Sequence, residues 1–120
     1  MKICITSTGK ELNSNFEQRF GRSPYFIIYD TESKEFEAID NTNTSSAHGA
    51  GIGSAQLIIQ NKAKVLISGN IGPNAKAVLE SEGINVLKGT ESTVIENINK
   101  FEANELVEIT KAGMPHQGMK

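Results

Sequence analysis

The chain has 120 residues, 38% hydrophobic and 22% charged, the size and mix of one globular domain able to fold without staples. Twelve Lys and Arg against fourteen Asp and Glu leave a net charge of −2 with no basic stripe, and two Tyr, five Phe and no Trp offer no stacking platform, so nucleic-acid binding is disfavoured. Mean hydropathy is −0.30, no apolar run is long enough to cross a bilayer, and the single cysteine, Cys4, excludes an internal disulfide.

The opening Met1-Lys2-Ile3-Cys4-Ile5 lacks the apolar stretch of a signal peptide, so a cytoplasmic, reducing location is expected. Residues 2–7 read as a strand with Ile3 and Ile5 on one face and Cys4 and Thr6 on the other. The polar stretch from Thr8 to Pro24 is too long for a simple connection and is expected to be functional or ordered by a short helix, with Phe16 and Phe20 as anchors. Tyr25 to Asp30, apolar on both faces, predicts a strand covered on both sides. After a turn, Glu35 to Asp40 predicts a third strand with one wet face.

The segment from Asn41 to His48 reads as a loop. Ile52, Ala55, Ile58 and Ile59 set a helical stripe over residues 51–61. Val65 to Ser68 is a short buried strand, and Gly69-Asn70-Ile71-Gly72-Pro73 turns into a helix of about residues 74–82 that Gly83 ends. Ile84 to Leu87 predicts the last strand. A final helix spans about residues 92–103, with Thr93 and Glu96 spaced as a capping box. The order is βββαβαβα, an α/β class. The two later strands lie in right-handed βαβ units, which predicts a five-stranded mixed sheet with helices on its faces. No boundary divides residues 1–111, and residues 112–120 read as a flexible tail.

Three segments carry a resemblance: Phe20-Gly21-Arg22-Ser23-Pro24-Tyr25-Phe26, His48-Gly49-Ala50-Gly51-Ile52, and Ser68-Gly69-Asn70-Ile71-Gly72-Pro73-Asn74-Ala75. With the opening Lys2-Ile3-Cys4-Ile5, the chain resembles the dinitrogenase iron-molybdenum cofactor biosynthesis family up to about Leu106. The resemblance implies a ribonuclease H-like fold, whose strand order the predicted elements match. It also implies, for some members, carriage of iron–sulfur or iron–molybdenum cofactor precursors, with cofactor-assembly or acceptor proteins as partners. Members often carry a His just before Phe-Gly-Arg. Here that position is Arg19, one potential ligand fewer.

The candidate cofactor-binding residues are His48, Gly49, Arg22, Ser7, Thr8, Gly69 and Asn70. Imidazole suits soft and borderline metals, and the glycines beside His48 let a bulky cluster approach the backbone, although a surface histidine would read the same. Arg22 can clamp an anionic group or form an ion pair. Ser7, Thr8, Gly69 and Asn70 are expected at the C-terminal edge of the sheet, where open α/β sheets bind ligands. The turn from Gly69 to Asn74 can hold an anion at a helix N-terminus or serve as a tight turn, and it lacks the Lys-Ser/Thr of a P-loop.

Candidate metal ligands are His48, Cys4 and His116. A strand Cys is more usually a small buried hydrophobe, and one thiolate cannot complete a four-thiolate cluster, so any cluster is expected to be bound transiently. His116 has Met114 and Met119 nearby in a tail that needs no function. The first strand carries no acid, nor does Val65 to Asn70, so the carboxylates of a metal-dependent nuclease are missing there. The expectation is a non-enzymatic carrier or binding protein without catalytic residues. The alternatives are a metal-free regulatory or interaction domain and a small phosphate-handling enzyme built on the Gly69–Asn74 turn.

Overall fold

The computed structural model describes residues 1–42 and 50–109. The elements are β1 (Lys2–Ser7), β2 (Tyr25–Asp30), β3 (Phe36–Asp40), α1 (Ala50–Gln60), β4 (Val65–Ser68), α2 (Pro73–Ser81), β5 (Asn85–Lys88), α3 (Val94–Glu102) and β6 (Val107–Glu108). The predicted order holds, with ends shifted by a residue or two. One correction concerns the sheet, which has six strands rather than five, in the order β3-β2-β1-β4-β5-β6. β6 escaped prediction because it is two residues long with both side chains exposed, so it shows no alternation. It pairs antiparallel with Leu87 and Lys88 at the sheet's edge.

β1, β2 and β3 form an antiparallel meander, while β1, β4 and β5 run parallel. Alternation along the strands feeds two separate cores. Cys4, Phe26, Ile28, Leu66 and Val86 face Ala55 and Ile58 of α1 and Ala75 and Leu79 of α2. Ile3, Ile5, Ile27, Tyr29, Val65 and Ile67 face Val94 and Ile98 of α3. This two-sided burial explains why Ile3 to Ile5 and Phe26 to Tyr29 are apolar on both faces, and each buried Ile, Leu or Phe contributes roughly 1.5–3 kcal/mol. Gly83 ends α2 with φ +78°, and Thr93 caps α3, its hydroxyl accepting from the Glu96 N–H at 3.2 Å.

The long stretch before β2 holds no helix. Residues 15–20 instead form an extended strap across the C-terminal ends of β1 and β4. Several of its N–H and C=O groups bond the end of β1 and the turn that leaves β4. The Glu17 N–H donates to Thr6 O at 3.2 Å, the Gln18 carbonyl accepts from Gly69 (3.1 Å) and Asn70 (2.6 Å), and the Phe20 N–H donates to Asn70 O at 3.0 Å. Phe16 sinks into the core on the α3 side and Phe20 into the core on the α1–α2 side. The strap is thus pinned from both layers, which a helix spanning the same short gap could not do.

Two glycines permit this approach. A Cβ on Gly69 would lie 2.8 Å from the Gln18 carbonyl oxygen, and one on Gly89 would lie 2.6 Å from Phe16 Cζ and 2.8 Å from Asn97 Oδ1. Asn97 is fully buried; its Oδ1 accepts from the Thr90 N–H at 2.8 Å and its amide donates to Thr93 O at 2.9 Å, fixing the loop beneath Phe16. Gly89→Ala is therefore expected to destabilise the fold by about 1–3 kcal/mol through overpacking. The urea unfolding midpoint measures this, and an unchanged midpoint would mean that the strap does not press on Gly89.

Candidate functional site

Because β1 and β4 are parallel, their C-terminal ends open on one edge, and the loops leaving them meet there. The described parts of the three segments singled out by sequence converge at that edge. A cleft of about 380 Å³ is walled by Arg19 to Arg22 from the strap's exit, by Gly51 and Ile52 in the first turn of α1, and by Asn70 and Gly72 to Ala75 at the entry to α2. Small residues let the two helix starts meet: a Cβ on Gly51 would lie 3.3 Å from Ala75 Cβ. Gly72 stands at the N-cap of α2 and Pro73 follows it, so among the described residues no side chain caps that helix end.

The walls are held from behind. Ser23 Oγ accepts from the Ser7 N–H at 3.0 Å, and the Asn41 amide donates to Ser23 O at 2.8 Å and to Ser54 Oγ of α1 at 3.0 Å. All four residues are buried, so this network ties the Arg22 loop to β1 and to α1. Phe20 stacks on Phe26 with ring centroids 5.8 Å apart.

On the other side of the strap lies a second, more polar cleft of about 610 Å³, walled by Asn15 to Arg19, Asn70, Glu91 and Ser92. Arg19 and Asn70, paired through their backbones, form the ridge between the two clefts. The Arg19 guanidinium is held by Glu17, Nε to Oε2 at 3.0 Å and Nη2 to Oε1 at 3.3 Å. That bond holds the Glu17 carboxyl below its ordinary value of 4.5.

The structure sorts the sequence candidates. Arg22 and Asn70 line the first cleft. Ser7 and Gly69 do lie at the predicted edge, but the strap seals them from ligand. Ser7 is fully buried, with its hydroxyl donating to Gly9 O at 2.7 Å, and Gly69 lies beneath Gln18. Thr8 is exposed, bonds Asn15 O at 3.2 Å and lines neither cleft. Cys4 is fully buried in the α1–α2 core, where desolvation pushes its thiol strongly up, so it is not brought to the cleft as a thiolate. His48, Gly49 and His116 fall outside the described residues; α1 begins two residues after His48. Among the described residues, no three His, Cys, Asp or Glu side chains are grouped to hold a metal ion, and no helix is long and apolar enough to cross a membrane.

Sequence reasoning missed Glu17, although an extended segment places residues i and i+2 on one face, the spacing that lets it grip Arg19. The turn from Gly69 to Asn74 reads in sequence equally as an anion site or a tight turn, and only the tertiary fold opens a cleft in front of Gly72 and Asn74.

Over residues 1–104 the chain matches the family model described as dinitrogenase iron-molybdenum cofactor. It belongs to that family. An uncharacterised protein of Methanocaldococcus jannaschii is 35% identical over 97 residues, 78% of this chain and 82% of that protein. Among solved structures, the apo form of the orange protein from Desulfovibrio gigas is 30% identical, with a TM-score of 0.90 over 94% of this chain and 96% of the other. A Thermotoga protein described as a candidate NifB is 38% identical, with a TM-score of 0.84 over 94% of this chain and 97% of the other. The family match therefore spans all three segments that wall the first cleft.

Two outcomes follow from this geometry. The Cys4 thiol is expected to resist alkylation at pH 8 in the folded protein and to react at once in denaturant; labelling of the native protein at the denatured rate would contradict its burial. Acid is expected to weaken the fold through Glu17. A carboxyl whose folded-state value lies below 4.5 stabilises fully above that pH and loses its contribution as pH falls through the lower folded-state value. The stability gap between wild type and Glu17→Gln, measured by urea unfolding, should stay constant above pH 5 and close on further acidification.

Proposed function

We propose that this protein is a non-enzymatic carrier that holds an anionic iron–sulfur or iron–molybdenum cofactor precursor in the cleft between the starts of α1 and α2. One observation carries the reading: the three family segments meet at one cleft whose described walls include Arg19 and Arg22 and no carboxylate. Sulfide-rich metal clusters commonly carry net negative charge, and guanidinium groups with an uncapped helix end suit such a cargo. The cleft is shallow and open to solvent, which favours loose holding and release over permanent retention. His48, two residues before α1 in the chain, is the proposed metal ligand. Arg22 and Asn70 are the proposed contacts to the cargo's anionic groups.

The family membership and the likeness to the apo orange protein and to the candidate NifB support this reading. Partners would be the proteins that build the cofactor or accept it. The strand order β3-β2-β1-β4-β5 accords with a ribonuclease H-like arrangement. Residues 1–111 would form one domain, working in the cytoplasm.

A second reading, a metal-free interaction domain, draws on one residue. Arg19 stands directly before Phe20-Gly21-Arg22 and its guanidinium is engaged by Glu17.

Anaerobic reconstitution with iron and sulfide, or titration with a preformed iron–molybdenum cluster, tests the carrier reading. Wild type is expected to gain cluster absorbance. His48→Ala and Arg22→Ala are expected to weaken uptake roughly ten-fold, the scale set by losing one metal-site partner. Thr8→Ala, outside both clefts, should bind as wild type does. Absence of cluster absorbance in wild type would favour the metal-free reading.

A further inference from the structure

The ridge between the two clefts is built around a carboxylate and a guanidinium with opposite surroundings. The Glu17 side chain is 12% exposed and the Arg19 side chain 67% exposed. Glu17 cannot readily move, because its N–H donates to Thr6 O at 3.2 Å and its carbonyl accepts from the Thr6 hydroxyl at 2.5 Å, at the buried end of β1. Its carboxylate takes three bonds from one residue: Arg19 Nε, Arg19 Nη2, and the Arg19 backbone N–H at 2.9 Å. The Arg19 backbone is fixed in turn by its pairing with Asn70 and by the burial of Phe20. A fixed acid on the wall of the second cleft thus grips an exposed base that borders both clefts. Guanidinium has five N–H donors, so the grip leaves both Nη1 hydrogens and one Nη2 hydrogen available to another acceptor.

We propose that Glu17 is a positioning residue that holds the Arg19 fork at the cleft wall and sets how much of its charge an anion in the cleft feels, a role that rests on the anionic cargo proposed above. Paired with Glu17, Arg19 contributes direction but little net charge. A precursor is held by the remaining N–H groups without the full attraction of an unpaired Arg19. Removing the acid leaves a whole positive charge within several ångströms of the bound anion. At the effective dielectric of a protein surface this tightens anion binding by about three- to ten-fold, less at high salt.

Molybdate, a small dianion, is the probe, and the amide NMR shifts of Asn70 and Gly72 follow its binding. Glu17→Gln is expected to bind molybdate about three- to ten-fold more tightly than wild type at low salt, with the gain shrinking in 0.5 M salt. Arg19→Ala is expected to bind more weakly. Adding Glu17→Gln to Arg19→Ala restores the ridge's net charge but not the Arg19 N–H donors, so the double variant should recover part of the lost affinity and stay weaker than wild type. Without ligand, the Arg19 Nε–H signal should exchange slowly in wild type and rapidly in Glu17→Gln. Glu17→Ala makes the same charge change, should Gln at this position not fold. A double variant that binds as tightly as wild type, identical affinities across the series, or no molybdate binding by any variant would overturn the proposal. Cluster uptake with a flat molybdate series would spare the carrier reading and remove Glu17's role. The expected molybdate pattern without cluster uptake would do the reverse.

Discussion

Everything at the functional edge depends on how one extended segment closes the sheet. Parallel strands β1 and β4 end side by side, and their last N–H and C=O groups need partners that no further strand supplies. Residues 15–20 provide them, bonding Thr6, Gly69 and Asn70 and inserting Phe16 and Phe20 into opposite cores. Because both layers grip it, the strap cannot shift toward one face without opening a cavity on the other, and filled cores resist that. The ridge bearing Arg19 inherits this rigidity.

That closure also decides which residues are available for binding. Loops leaving parallel strands normally form the ligand crevice of an α/β sheet. Here the strap covers the crevice directly above β1 and β4 and moves the open space sideways, into one cleft toward the helix starts and another toward Glu91 and Ser92. The cleft toward α1 and α2 is the less polar of the two and gathers the family segments. Its shallow shape and arginine-bearing wall suit the loosely held anionic cargo proposed above. The buried network of Ser7, Ser23, Asn41 and Ser54 keeps its two sides in register.

Most of the fold was legible in the chain. Period-2 alternation located β1 and β3, a continuous apolar run located β2, the stripe through Ala55 and Ile58 located α1, and Gly83 and Thr93 marked helix ends by local chemistry. These signals are short-range, so neighbouring residues suffice to read them. β6 was not legible, because two exposed residues pair only through their position beside Leu87 and Lys88. The strap was not legible as a strap either. Its conformation depends on partners fifty or more residues away, at Gly69, Asn70 and Ser92.

The candidate site divides along the same line. Sequence by itself determined the segments that matter, because Phe20-Gly21-Arg22, Ala50-Gly51-Ile52 and Gly69 to Ala75 are local patterns of small, cationic and turn-forming residues. Only the tertiary structure decided their roles. It turned Arg22, Asn70 and Arg19 toward open space, sealed Ser7 and Gly69 under a backbone crossing, and placed Cys4 deep in an apolar layer. A residue's type limits the chemistry it can offer, whereas access and charge depend on what the rest of the chain lays over it, and that is set by contacts between residues far apart in sequence.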